Sequence, residues 1–425
     1  MLTRQLWSAC ILLVTACRPP VNYDELKPHS FDWPQWQGPD RTAKSRETGL
    51  LTEWPRKGPP LAWKARNLGG GYSTPSVASG RVFGMSFRGD DEVVWALEEG
   101  SGQELWHTRI AKANRNVGYP EGPRSTPTVD GDVLYAVGLR GDVVCLGIED
   151  GSERWRKNLP KDFNGHMMSG WGYSESPLVD GDKLIVTPGG RDATLVALNK
   201  KTGDLLWKSQ VPGGDGAAYS SVIKAQLASQ PEYVQFLGGG VVGIAAEDGK
   251  YLWRYNHPSN GTANCSTPIA EDDWVFAASS YGAGGGLVHI VHQGSETKDE
   301  EVYFTKHMKN HHGGMVLVDG YLYGSDEGAL TCLDFKTGKV MWADRGPGKG
   351  SIAYADGHLY YRNEGGPIVL AEANPKEYVE RGRFDQPNRS SQNAWPHPVI
   401  ANGKLYIRDQ DVLLCYDVKQ RSASN

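Results

Sequence analysis

One phrase recurs along this chain and constrains its fold more than any other feature. It runs as a turn with Gly, a short apolar strand, a second turn, an alternating strand, an Asp- or Lys-x-Gly turn, and a strand carrying Trp. Its clearest copy is Gly131-Asp132-Val133-Leu134-Tyr135-Ala136-Val137, then Gly141-Asp142, Val143 to Ile148, Asp150-Gly151 and Arg154-Trp155. The apolar runs are short, β-branched or aromatic, and bounded by Gly and Asp, which is the signature of strands. The third strand of the phrase reads Val94–Leu97, Val144–Leu146, Val196–Leu198, Gly243–Ala245, Val288–Ile290, Thr331–Leu333, Val369–Ala371 and Leu414–Tyr416. Neighbouring copies start 38 to 52 residues apart. Four short strands per unit of that length predict an all-β, eight-bladed β-propeller of four-stranded antiparallel blades.

A chain of 425 residues is too long for one ordinary core, and a repeat array answers that difficulty. The 53 Gly serve its many tight turns, and the 14 Trp and 19 Tyr fill gaps between sheets. The fourth strand carries Trp106, Trp155, Trp207, Trp253 and Trp342, with Phe304 and Phe384 expected at that position in the fifth and seventh copies. These aromatics read as wedges between blades, each indole N–H bonded to a neighbouring backbone. The eighth copy stops at Asp417 without its Trp-bearing strand. Pro60-Leu61-Ala62-Trp63-Lys64 supplies that strand from the other end, which predicts closure of the ring by an N-terminal strand. Cys145, Cys332 and Cys415 take a small apolar slot in the repeat, and Cys265 stands alone, so no disulfide is expected.

The first residues read as an address. Leu6 to Ala16 is an apolar stretch too short to span a bilayer permanently, and it ends in Val14-Thr15-Ala16-Cys17. Small residues before a cysteine resemble a bacterial lipobox, with Cys17 as the lipidated residue and Arg18 favouring the outer membrane. The expected division is a signal peptide over 1–17, a tether over 18–31, the propeller over 32–418 and a tail over 419–425. The formal net charge of −5 offers no basic stripe, so no nucleic-acid partner is expected.

The stretch Ala197 to Lys208, echoed from Cys332 to Trp342, resembles the tryptophan-docking repeat of the PQQ-like (quinoprotein-type) β-propellers. The resemblance covers roughly residues 60 to 418 and includes the BamB-like lipoprotein propellers. Trp33-Pro34-Gln35-Trp36-Gln37-Gly38-Pro39 and Leu50 to Pro55 resemble the leader of planctomycete-type members. The repeat is specific for fold and weak for function, because the fold hosts both enzymes and scaffolds. Quinoprotein dehydrogenases of the family carry an adjacent, bridged cysteine pair, a calcium site and a much longer chain. This sequence contains no Cys-Cys pair. No PQQ, no metal and no catalytic residue is therefore expected. A periplasmic oxidoreductase with a non-standard site stays as the alternative to a binding scaffold. His289 and His292 are three apart on a strand and face opposite sides, so they do not share an ion.

The remaining signal is positional. In a propeller, the link from the outer strand of one blade to the inner strand of the next crosses the channel mouth. Those links hold Tyr72, Arg124, His166, Trp171, Tyr173, Glu175, Tyr219, Asn264, His312, Trp395 and His397. Converging aromatic and polar groups make a site for a ligand or an envelope protein, with Arg124 placed to pair with Glu175. The same residues equally suit loops that simply close the funnel.

Overall fold

The computed structural model describes residues 31–294 and 296–420. The expected signal peptide, nearly all of the tether, the lipidation residue Cys17 and residues 421–425 lie outside them. The described strands form eight four-stranded antiparallel sheets arranged as blades. Blade 1 begins with the inner strand Ser76–Ala78, and blades 2 to 8 begin with Thr128–Asp130, Leu178–Asp180, Ile223–Leu227, Ile269–Glu271, Met315–Val318, Gly350–Ala355 and Val399–Ala401. Among the described residues a single short α-helix, Leu159–Phe163, follows the outer strand of blade 2 and is capped by the Asn158 side chain.

Ring closure occurs where the sequence places it. Leu61–Ala65 pairs antiparallel with Val412–Asp417 as the outer strand of blade 8, with Trp63 opposite Cys415 and Ala65 opposite Leu413. The first and last strands of the propeller thus share one sheet, and the last blade presents no unpaired third strand.

The docking aromatics explain the repeat. Trp63, Trp106, Trp155 and Trp342 each donate an indole N–H to a backbone carbonyl of the next blade, at 2.8–2.9 Å. The rings of Trp63, Trp106 and Trp155 lie on the glycine turn of that blade, at Gly102, Gly151 and Gly203, whereas Trp342 packs against Tyr378 in a turn without glycine. A Cβ on Gly203 would sit 2.8 Å from the Trp155 ring, at a backbone φ of +75° that side chains disfavour. The Thr-Gly turn of the motif is therefore the seat of the preceding blade's indole.

Two copies depart from expectation. In blade 5 the docking residue is Tyr303, not Phe304: its hydroxyl donates to Phe335 O at 2.8 Å, and its ring covers Gly338. The strand bulge sits beside Leu287, the partner of Tyr303, as it sits beside the Trp partner in other blades. In blade 7 the slot holds Gly382, and Phe384 packs further along. The missing indole arrives from the leader. Trp54 packs so tightly that a Cβ on Gly382 would meet its Cβ at 2.5 Å, and it lies edge-on to Tyr360 and Phe384.

The rest of the leader threads the channel and bonds at or beside the inner strand of every blade. Trp33 exchanges backbone bonds with Val77, Pro34 O accepts from Val129 N, and Ala43 and Ser45 bracket Tyr354. Arg41 donates to Ser176 O, Pro177 O and Val222 O. Trp36 donates to Thr267 Oγ1, Lys44 to Leu317 O, and Asn402 donates to Asp32. Asp32 and Leu50 bond at the turns after the inner strands, while Trp36 and Arg41 reach the residues just before those strands, at the mouth. The leader thus enters from the far face, turns beneath the mouth and leaves again.

Trp54→Ala removes this indole from a buried site and is expected to lower stability by about 3–5 kcal/mol in chemical denaturation. A truncation starting at Asn67 also loses the closing strand and should melt well below the intact chain. Equal melting of the two would refute N-terminal closure.

Candidate functional site

The outer-to-inner links converge on the mouth as the topology requires, and they enclose a cavity of about 110 Å³. Seven of the eleven sequence-predicted residues line it: Tyr72, Arg124, Trp171, Tyr219, His312, Trp395 and His397. Its walls are mostly aromatic. Tyr72 and Tyr119 pack on Trp395 with ring centroids 4.5 and 4.6 Å away, and Trp171 faces Tyr219 at 5.4 Å.

The other four predicted residues do not line the cavity. Tyr173 is buried with its ring against Gly141 and donates its hydroxyl to Pro188 O at 2.9 Å. Glu175 is buried and accepts from Thr187 N and Oγ1. Asn264 is buried and ties its own link to Leu237 O and Asn260 N. His166 is exposed, and its carbonyl accepts from Ala217 N. The expected Arg124–Glu175 pair is not formed. Arg124 instead donates to Trp171 O, Gly118 O and Tyr119 O, so it is the staple that joins the second and third links.

Trp36, Tyr119, Cys265, Tyr281 and His311 also line the cavity, and none of them is among the predicted mouth residues. Tyr119, Cys265 and His311 lie inside the links already identified. Tyr281 comes from the turn between the second and third strands of blade 5, Trp274–Ser279 and Gly284–Gln293, and such turns share the mouth face. Trp36 forms part of the wall from within the channel, packed at a tilt of 55° against His397 with ring centroids 4.5 Å apart.

The charges at the mouth are balanced internally. Burial opposes ionisation of Glu364, yet His312, the Trp395 indole and Lys349 hold its carboxyl well below the usual range. Trp395 Nε1 donates to Glu364 Oε1 at 2.7 Å, and Lys349 Nζ lies 3.0 Å from Oε2. His312 Nε2 sits 3.6 Å from the same carboxylate, an ion-pair distance too long for a hydrogen bond. Burial pushes His311 down to about 3 and His397 down to about 4, and it lowers His312 as well. His311 and His397 are neutral at physiological pH. Burial pushes the Cys265 thiol up to about 12, so it is no thiolate nucleophile.

Behind the mouth, burial raises Glu175 and Glu92 to about 8 each, against the pull of their Thr187 and Leu139 partners. Arg41, itself lowered by burial, eases Glu175 only in part.

An eight-bladed propeller of PQQ-like repeats, with a threaded channel and an aromatic mouth, defines the class of protein. A family model described as outer membrane protein assembly factor BamB matches residues 90–344, well over half of the chain, and the chain belongs to that family. The outer membrane protein assembly factor BamB of Kangiella koreensis is 25% identical over 206 residues, 47% of this chain and 46% of that protein. The chain thus spans about half the length of this relative. The crystal structure of BamB from Moraxella catarrhalis superposes with a TM-score of 0.55 at 14% identity, covering 80% of this chain and 94% of that one. The quinohemoprotein alcohol dehydrogenase of Comamonas testosteroni superposes at 0.68 with 12% identity, covering 95% and 83%. At such identities the two structures speak for the fold alone.

The buried acids carry a pH dependence. A carboxyl whose folded pKa exceeds its unfolded value binds its proton more tightly when folded. That stability is fully present below the unfolded pKa and is lost as pH rises through the folded one. Unfolding free energy should therefore fall between about pH 5 and 8, by up to about 1.4 kcal/mol per pH unit for each such acid. Denaturation at several pH values should show Glu175→Gln and Glu92→Gln flattening that decline.

Proposed function

We propose that this chain is a cell-envelope scaffold acting in outer-membrane protein assembly, and that it holds a partner at its channel mouth rather than transforming a substrate. The observation that carries the reading is a dead-end aromatic pocket at the mouth of a propeller of the BamB family. Because the leader threads the channel from the far face, the mouth is a receptor surface and not a passage. Exposed Tyr119 and Tyr281 stand on its rim around more deeply buried rings, the layout of an interface anchor. A lipid anchor at Cys17 would hold that surface facing the periplasm at the outer membrane.

The quinone alternative finds little support in the residues. A tricarboxylate cofactor needs free cations, but Arg124 is spent on three carbonyls and Lys349 on Glu364. Among the described residues no group of three or more His, Cys, Asp or Glu is placed to hold a metal ion. The Cys265 thiol at the mouth keeps its proton at neutral pH, so it supplies no thiolate nucleophile.

Trp171→Ala deletes one wall while sparing the staple, and it should melt within a few degrees of the parent yet capture less envelope protein in pull-downs from native membranes. Arg124→Ala, which frees three carbonyls, should lose stability as well, so it is not a clean companion. Normal capture by a normally melting Trp171→Ala would place the function elsewhere. Separately, Cys17→Ser is expected to move the protein from the membrane to the soluble periplasmic fraction, and unchanged retention would count against the anchor.

A further inference from the structure

The mouth pocket makes a narrower statement about what enters it, and that statement rests on the reading of the mouth as the binding face. We propose that the pocket is a receptor for one uncharged aromatic ring of benzene size, such as the phenyl or phenol ring of a side chain. Four observations carry this.

Size comes first. The cavity measures about 110 Å³. An apolar cavity of about 150 Å³ takes up a single benzene, so the space suits one six-membered ring.

Wall geometry comes next. Tyr72 and Trp395 are tilted by 37°, Trp171 and Tyr219 by 50°, and Tyr119 stands at 69° to Trp395. These rings do not form a parallel slot. They offer edges and faces together, the arrangement in which a further ring makes tilted and edge-to-face contacts.

The third observation concerns polar atoms. Trp36 Nε1 is bonded to Thr267 Oγ1, Tyr72 OH to Glu121, Tyr219 OH to Ser169 and Tyr281 OH to His311 Nε2. Trp395 Nε1 is bonded to Glu364. These polar heads point into the protein's own network, so the walls turn ring surface toward the space. A sugar, which must exchange many hydrogen bonds with water for protein partners, would lose more than it gained here.

Charge is the last. A quaternary ammonium ion also favours aromatic walls. Here the Arg124 guanidinium already lies over the Tyr72 ring at 5.7 Å, and the nearby carboxylates Glu121 and Glu364 are engaged by Tyr72, Trp395 and Lys349. An added cation would face Arg124 with no free anion to offset it. An anion would find Arg124 held by carbonyls. A neutral ring avoids both costs.

The walls are also fixed before binding. Trp395 is anchored by Glu364, and His397 is held between Thr74 Oγ1 and His312 O. A pre-formed pocket spends little ordering entropy on its occupant.

The test uses the intact mature protein and calorimetry or ligand-observed NMR with benzyl alcohol, p-cresol, tetramethylammonium and methyl glucoside. The expected result is that benzyl alcohol and p-cresol compete for one site and bind at least tenfold more tightly than the other two. Ser174→Phe places a ring in the space from the wall and should abolish ring binding while the melting curve stays cooperative. Should that variant misfold, quenching of intrinsic Trp fluorescence by p-cresol in the parent, weakened in Trp171→Ala, gives the same readout. Equal or tighter binding of tetramethylammonium or methyl glucoside overturns the proposal, as does absence of ring binding in the folded parent. Adding p-cresol to the pull-down separates the sources: lost capture marks the ring as a partner's side chain, and unchanged capture marks it as a free ring compound. Ring binding with normal capture by Trp171→Ala would leave this inference standing while the scaffold reading of the mouth fell.

Discussion

Everything in this molecule depends on one sheet in which the first and last strands of the propeller are hydrogen-bonded neighbours. Leu61–Ala65 against Val412–Asp417 turns a row of blades into a ring. Without closure the first and last blades would each leave a face without its neighbour, and the links could not converge on a common axis. The largest apolar cluster among the described residues straddles this seam, joining Trp33, Leu50 and Trp54 of the leader to side chains of blades 7, 8 and 1. The mouth pocket inherits its shape from the same closure, since Tyr72 belongs to the first link and Trp395 to the last.

The balance of forces at the mouth follows from burying polar groups in pairs. Glu364 stays charged because an indole, a lysine and a histidine surround it, whereas Glu175, with two hydrogen bonds from Thr187 and a distant guanidinium, prefers its proton. Arg41 and Arg124 are both spent on backbone carbonyls that belong to separate blades or links. In each case a planar, multi-donor group satisfies carbonyls that converge on the axis and have no strand partner there. These two arginines act as fasteners between repeats rather than as ion-pair partners.

The strands were legible in the sequence because their signal is local. Alternation over a few residues, bounded by Gly and Asp, locates all eight third strands and the closing strand. The docking position of blade 7 was not legible, because Gly382 is complemented by Trp54 from a segment more than three hundred residues away. Nor was the path of the leader, whose polar, Pro- and Gly-rich residues show no period and are fixed chiefly by backbone bonds inside the channel. At the mouth, topology alone located the links but not the direction of each side chain. Ser174 faces the cavity, while its neighbours Tyr173 and Glu175 turn into the blades. Extended backbone alternates in this way, and a list of link residues cannot resolve it.

The threaded leader also sets an order of events. Asp32 is bonded to Asn402 across 370 positions of sequence, and Arg41 waits for carbonyls at Ser176 and Val222. A chain that emerges from its N-terminus first carries this segment unsatisfied until the last blade has appeared. Contacts so distant in sequence are slow to form, and the apolar edges they will cover stay open meanwhile. The ring therefore cannot mature blade by blade to completion. Its final step is a single act of assembly in which the earliest-made residues are enclosed by the latest.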